Sequence, residues 1–199
     1  MTRPTGDTGP RPYHHGDLRR ELLDIAGGIA ATEGPSAIGM RELARRADVS
    51  HAAPAHHFGD KRGLLTALAV EGFDRLTESL QRVLARGEPF ADQGVAYVVF
   101  AVGHPGHFAV MWRFDLLDRE SPELARSSLA ARAALDAGAA RLAADTGVDA
   151  STAAAAAWSF AHGLATLLNA GLIDPGPDLG AFVRRAAGLF AAGPPAVRG

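Results

Sequence analysis

The sequence predicts an all-α protein of about nine helices, with a three-helix head at the N-terminus and a larger helical body behind it. Two observations lead to this fold. Apolar residues recur at three- and four-residue spacing along most of the chain, and breaks rich in glycine and proline separate these segments. Of the 199 residues, 47% are hydrophobic, which is enough to bury a sizeable core.

The first predicted helix forms the back wall of the head. We expect Asp17 to be its N-cap and Gly34-Pro35 to end it. Residues 1–15 precede it and are rich in proline and glycine, so we expect them to be a disordered arm. One apolar face runs along the helix through Leu18, Leu22, Ile25 and Ile29.

Two short helices follow, joined by a three-residue break. The first runs from Met40 to Ala47, and Asp48-Val49-Ser50 separates it from the second, His51 to Phe58. Asp48 tolerates the left-handed backbone that closes a helix, and Ser50 is the expected N-cap of the second helix. Such a pair fits the DNA major groove when the second helix exposes small side chains, but it also occurs as an ordinary helical corner. Spacing alone leaves both interpretations open.

The residue types favour the DNA-binding interpretation. Val49, Ser50, His57, Phe58, Lys61, Leu64 and Leu65 occupy the slots of the pattern V-S-x-x-x-x-Y-x-H-F-x-x-K-x-x-L-L. The stretch therefore resembles the DNA-binding domain of the TetR family of bacterial transcription regulators. The resemblance implies a double-stranded DNA operator as partner and a DNA-binding surface made of Arg41, Ser50, His51, Ala52, Ala53, His56, His57 and Lys61.

Two positions depart from the family pattern. Ala55 stands where the family usually has a tyrosine that binds a phosphate, and Gly39 stands where it usually has a threonine or serine cap. We expect either weaker DNA binding or compensation by His51 and His56, whose rings can donate to bases or phosphates. Lys61, the only lysine of the chain, sits at a helix N-terminus, where free backbone N–H groups also attract phosphate.

The fourth predicted helix connects the head to the body. It begins after Asp60, its expected N-cap, and ends before Gly87, and Gly72 leaves room for another helix to approach. The body then continues as an alanine-rich series of predicted helices. These cover about residues 90–102, a shorter segment with 108–114 after a loop at 103–107, 122–146 capped by Ser121, 150–169 capped by Asp149, and 178–192.

A small-molecule site is predicted in the body. Residues 158–163, W-S-F-A-H-G, resemble the W-x-x-x-H-G signature of a TetR subgroup, which implies an effector-binding domain. Apolar walls with a few polar groups suit an apolar or aromatic effector. A Trp158–His162 packing pair in an ordinary core explains the same residues. The candidate effector residues are Tyr97, Phe108, Met111, Trp112, Trp158, His162 and Asn169.

The last two predicted helices carry broad apolar faces. A four-helix seam between two copies of the chain accounts for these faces and supplies two DNA half-sites, although packing within one chain accounts for them as well. The candidate dimer residues are Leu164, Leu168, Leu172, Leu179, Phe182, Ala186 and Leu189.

Other functional classes find little support. The sequence has no cysteine, and neither His14-His15 nor His104-x-x-His107 has the ligands around it that a metal site needs, so we expect no metal or cofactor. An enzyme using His162 as a base lacks an orienting partner. The segment 153–173 is more typical of a buried helix than of a membrane span.

The prediction is thus a cytoplasmic, homodimeric, effector-responsive DNA-binding regulator, most simply a repressor. We expect a DNA-binding domain at 16–76 and an effector-binding and dimerisation domain at 77–199. The alternative is a degenerate regulator that binds DNA weakly and acts through protein contacts.

Overall fold

The computed structural model describes residues 15–191, without the side chains of 15–17, 145–146 and 190–191. Within this range the chain forms nine α-helices and no β-strand, which confirms the all-α prediction. The predicted arm lies outside the described residues except for His15, which begins the first helix. The helices are α1 (His15–Glu33), α2 (Met40–Arg46), α3 (Ala53–Phe58), α4 (Lys61–Ala85), α5 (Phe90–Gly103), α6 (Pro105–Met111), α7 (Pro122–Thr146), α8 (Ala150–Asn169) and α9 (Leu179–Ala191).

Helix starts follow from side-chain caps that the sequence contains. Asp60 Oδ1 accepts the backbone N–H of Gly63 at 2.8 Å and so caps α4. Ser121 and Asp149 cap α7 and α8 in the same way, each accepting the N–H three residues ahead. These three predicted caps are confirmed, as is the left-handed conformation of Asp48, whose φ is 52°.

Three predicted helix starts are wrong. Ser50 does not cap α3, because α3 begins at Ala53 and its N-cap is Ala52; the Ser50 carbonyl oxygen instead accepts the Ala53 N–H at 3.0 Å. The predicted loop at 103–107 is the start of α6, which begins at Pro105. In both places proline lies in the first helical turn, where its missing N–H costs nothing. The third is α1, which begins two residues before its expected cap, Asp17.

The core runs without interruption from the head into the body along α4. This helix packs against α1 on the head side and against α5, α6 and α7 on the body side, while α8 packs on α5 and α7, and α9 packs on α5. Fully buried side chains therefore occur along its whole length, from Leu64 to Leu80. Burial of this continuous apolar surface joins head and body into one packed unit.

Two glycines allow α6 to lie very close to its neighbours. At Gly106 a Cβ atom would lie 2.7 Å from the carbonyl carbon of Gly27 in α1. At Gly72 a Cβ would lie 2.6 Å from the sulfur of Met111, so the predicted close approach at Gly72 is confirmed and the approaching helix is α6. The body thus touches both α1 and α4 through α6.

Among the described residues, no single helix combines the length and the apolar composition needed to cross a membrane. Only α5 and α6 taken together reach that length, and they bend by 104° where they meet.

Candidate nucleic-acid interface and effector site

Helix α3 is anchored on one side and open to solvent on the other. Pro54 is buried, Phe58 is half-buried, and the Arg19 guanidinium carbon lies 5.3 Å from the centre of the Phe58 ring. The exposed side carries Ala55, which sequence reasoning singled out for its missing hydroxyl. Of the eight predicted DNA-binding residues, Arg41, Ser50, His51, Ala52 and His56 are exposed, and Ala53, His57 and Lys61 are half-buried.

The arginines of α2 beside this surface differ in whether an external anion can bind them. Arg45 and Arg46 both donate to the carboxylate of Glu42, and these hydrogen bonds lower the pKa of Glu42 to about 2. Arg46 also pairs with Glu33. Arg41 is exposed and makes no hydrogen bond or ion pair with any residue in the described part of the chain. Arg41 is therefore the cation of α2 that is available to an external anion.

Lys61 is held in place beside α3. Its Nζ donates to the backbone carbonyl of Ser36 at 2.8 Å. An ammonium group has three N–H donors, so two remain for other acceptors. This contact with the turn that follows α1 fixes the position of the ammonium group at the start of α4.

Helix α4 is tied to the body just after Lys61. Arg62 Nη1 donates to the carbonyl oxygen of Leu117 at 2.8 Å, and the Asp118 N–H donates to Thr66 Oγ1 at 2.9 Å. Both acceptor and donor on the body side lie in the loop between α6 and α7. Sequence reasoning missed these bonds, because nothing in the local pattern relates residue 62 to residue 117.

In the body, six rings form one aromatic cluster. They belong to α4, α5, α6 and α8 and to the residue that directly follows α6. The centre of the cluster is Trp112, whose ring centroid lies 5.5 Å from Trp158, 5.2 Å from His162 and 5.4 Å from Phe73. Sequence reasoning missed Phe73, which lies on the buried side of α4. The aromatic cluster consists of Phe73, Tyr97, Phe108, Trp112, Trp158 and His162.

Hydrogen bonds join three members of the aromatic cluster. Trp158 Nε1 donates to the Tyr97 hydroxyl oxygen at 3.2 Å, and that hydroxyl lies 2.9 Å from His162 Nδ1. The oxygen accepts from Trp158, and its own hydrogen can be donated to Nδ1 in the tautomer in which Nδ1 is the unprotonated ring nitrogen. Burial lowers the pKa of His162 and raises the pKa of Tyr97, so both are neutral at pH 7.

Two predicted effector residues lie apart from these rings. Met111 is buried against Gly72 of α4. Asn169 Nδ2 donates to the Ala101 carbonyl at 3.1 Å, which links α8 to α5. A surface groove of about 370 Å³ also lies elsewhere, between α1 and α4, and charged side chains such as Glu71, Asp74 and Arg75 line it. Such a lining does not suit an apolar effector.

The predicted dimer residues differ in exposure. Leu164 is buried within the chain, whereas Leu172 and Leu189 are 72% and 77% exposed. Leu168, Leu179, Phe182 and Ala186 are half-buried, and an ion pair between Arg184 and Asp92 holds α9 on α5. Helix α8 has a solvent-facing side of mostly small residues: Ala155, Ala156, Ser159, Gly163, Thr166 and Leu167.

Comparison with known proteins assigns both parts of this architecture. Residues 22–68 match the family model for bacterial regulatory proteins of the TetR family, and residues 90–190 match the model for the tetracyclin repressor-like C-terminal domain. The chain belongs to the TetR family. It is therefore a DNA-binding transcriptional regulator and not an enzyme.

Individual relatives of this TetR-family regulator show how far the similarity extends. A protein of unknown function from Rhodococcus sp. RHA1 is 36% identical, with a TM-score of 0.72 over 91% of this chain and 97% of that one. A TetR-family transcriptional regulator from Bordetella parapertussis shares the fold at 20% identity, with a TM-score of 0.71 over 89% of this chain and 95% of that one. An HTH-type transcriptional repressor from Mycobacterium tuberculosis is 32% identical over 88 residues, which is 44% of this chain and 45% of that protein.

Proposed function

We propose that this regulator is a homodimeric, effector-responsive repressor that binds a palindromic operator in the cytoplasm. The observation that carries the proposal is the exposed side of α3, together with Arg41 of α2, which has no partner in the described part of the chain, and Lys61, which is held at the start of α4. The M. tuberculosis relative, which is named a repressor, supports the sign of the regulation. Residues 16–76 would form the DNA-binding domain and 77–199 the effector-binding and dimerisation domain.

In the proposed complex, α3 enters the major groove. The methyl groups of Ala52 and Ala53 suit contact with thymine methyls, and His51 and His56 can donate to purine acceptors. Arg41, Ser50, His57 and Lys61 would contact phosphates, which fix the register of the helix without reading sequence. The absent tyrosine hydroxyl at Ala55 removes one such contact.

The proposed dimer joins the solvent-facing side of α8 and the exposed Leu172 and Leu189 to the same surfaces of a second copy. Small residues on α8 permit a close approach of two helices, and a two-fold axis presents two copies of α3 to a palindrome. Gly163 offers a test, since a side chain there meets no atom within 4 Å in the single chain. We expect Gly163→Arg to halve the mass measured by light scattering.

Gly28→Arg is the matched control, because a side chain at Gly28 of α1 also enters open space. A Gly163→Arg protein that remains dimeric would contradict the α8 interface. A Gly28→Arg protein that becomes monomeric would show that the mass change reports general destabilisation.

The aromatic cluster is the proposed effector site. An effector that binds one arrangement of the two heads more tightly than the other shifts the population toward that arrangement, in proportion to the difference in affinity. In the proposed repressor, the favoured arrangement does not fit the operator.

The whole proposal is tested by selecting genomic DNA fragments with the purified protein and titrating the recovered site by fluorescence anisotropy. A short palindrome bound by a dimer is the expected result. A folded dimer that recovers no specific site would overturn the operator proposal and favour the degenerate regulator that the alanine at position 55 allows.

A further inference from the structure

One hydrogen-bond donor of the aromatic cluster is left without an acceptor. Both tryptophans of the chain lie there, and their indole N–H groups differ: Trp158 donates to Tyr97, whereas Trp112 Nε1 is buried and has no partner among the described residues. A buried donor without an acceptor is unfavourable, so such groups usually have a structural or functional explanation. Here the donor belongs to the ring that contacts Phe73, Phe108, Trp158 and His162.

None of the rings that contact Trp112 carries a fixed charge. Phe73, Phe108 and Trp158 are apolar rings, and Tyr97 and His162 use their facing polar atoms on each other. A charged ligand would lose its hydration here without gaining a countercharge. A flat apolar ligand would gain ring-to-ring contacts instead.

We propose that the effector is a planar aromatic molecule with an uncharged hydrogen-bond acceptor, such as a ring nitrogen or a carbonyl oxygen, and that the Trp112 N–H binds this acceptor. The inference rests on the proposed effector response and narrows the chemical class of the molecule. Trp112 would be the residue that distinguishes such ligands from plain hydrocarbons of the same shape.

The entrance would be at Trp158. Trp158 is 38% exposed to solvent, whereas Tyr97 and Phe108 are buried. The ring centroids of Trp158 and Trp112 are 5.5 Å apart. A flat ligand between them needs roughly 7 Å, twice the usual carbon–carbon contact distance of about 3.5 Å. Trp158 would therefore move outward when a ligand enters.

The test compares quinoline with naphthalene, which have the same shape and differ by one ring nitrogen. Binding to the full-length protein is measured by equilibrium dialysis at pH 7.5, where quinoline is neutral. We expect the wild type to bind quinoline about five- to tenfold more tightly than naphthalene, as one added hydrogen bond predicts. The anion 2-naphthoate should bind more weakly than both.

Two variants locate the effect. Trp112→Phe keeps a ring and removes the N–H, so we expect the ratio of quinoline to naphthalene affinity to fall to about one, because the hydrogen bond that separates the two ligands is lost. Trp158→Phe is the matched control, because its N–H is already used by Tyr97, and the preference should persist. A preference that survives Trp112→Phe, tighter binding of 2-naphthoate, or no binding of either neutral probe would overturn the proposal.

Operator binding of the same variants separates this inference from the proposed function. If Trp112→Phe binds and releases the operator in response to a molecule of another class, the regulator proposal stands and the proposed effector class is wrong. If the wild type shows the quinoline preference but binds no operator, the proposed repressor function fails instead.

Discussion

Replacing Gly106 with alanine would place a methyl group where α6 crosses α1. The new Cβ would lie 2.7 Å from the carbonyl carbon of Gly27 and 3.0 Å from its Cα, and nearer still to its oxygen. These are backbone atoms, so no side-chain rotation can relieve the overlap. The two helices must separate, and the contact between head and body must loosen with them.

The expected cost follows from this overlap. Inserting a methyl into a well-packed contact destabilises a protein by about 1–3 kcal/mol, and Gly106 lies in the first turn of α6, where alanine's higher helix propensity offsets little of it. We expect a loss of about 2 kcal/mol in the free energy of unfolding. For a chain of this length that corresponds to a fall of about 4–8 °C in Tm. Circular dichroism at one fixed protein concentration measures it, since the stability of the proposed dimer would depend on concentration.

Gly28→Ala provides the comparison. Gly28 lies beside Gly27 in the interior of α1, but a Cβ there meets no atom within 4 Å. Alanine should therefore stabilise α1 by about 0.5–1 kcal/mol and raise Tm. If both variants shift Tm in the same direction by similar amounts, the close crossing of α1 and α6 does not limit stability and the reasoning is refuted.

Three further predictions concern DNA binding and pH. Lys61→Ala should reduce the slope of log affinity for the operator against log salt by about 0.9, and an unchanged slope would exclude a phosphate contact. Ala55→Tyr should tighten operator binding about fivefold or more by adding a hydroxyl to the exposed side of α3, and unchanged anisotropy curves would show that no phosphate is within its reach. Burial lowers the pKa of His107 below its usual 6.5, so the unfolded chain binds protons more readily and stability is lost as pH falls below about 6.5. Urea titrations at pH 7.5 and 5.5 measure this loss of unfolding free energy, and His107→Gln should make it smaller. Part of the loss should remain, because burial also lowers the pKa of His104 and His162. An equal loss in the wild type and the variant would contradict the prediction.

Features that depend on neighbouring residues could be predicted from the sequence. The caps at Asp60, Ser121 and Asp149 are each set by one side chain and an N–H three residues away, and the structure confirms all three. The error at Pro105 has a local cause. Its segment is predicted as a loop, but proline is favourable in the first turn of a helix, and α6 begins there.

Features that depend on distant pairs could not be predicted. The indole of Trp112 meets Trp158 across 46 positions of sequence. That its N–H has no partner among the described residues becomes apparent only when the surrounding rings are in place. The close approach of α6 to α1 likewise depends on how two distant helices cross, which a local sequence pattern does not reveal. The assignments of DNA-binding, effector and dimer residues remain predictions, which the experiments above address.

The bonds between α4 and the loop after α6 have a consequence for sequence drift. On the α4 side they use the side chains of Arg62 and Thr66, but on the loop side they use only the backbone oxygen of Leu117 and the backbone N–H of Asp118. Any amino acid supplies a backbone oxygen at 117 and any except proline supplies an N–H at 118, although burial of the Leu117 side chain in the core restricts the choice at 117. Descendants of this protein could therefore change the exposed side chains at 113–115, 119 and 120 while the loop stays fastened to the helix that carries the DNA-binding head.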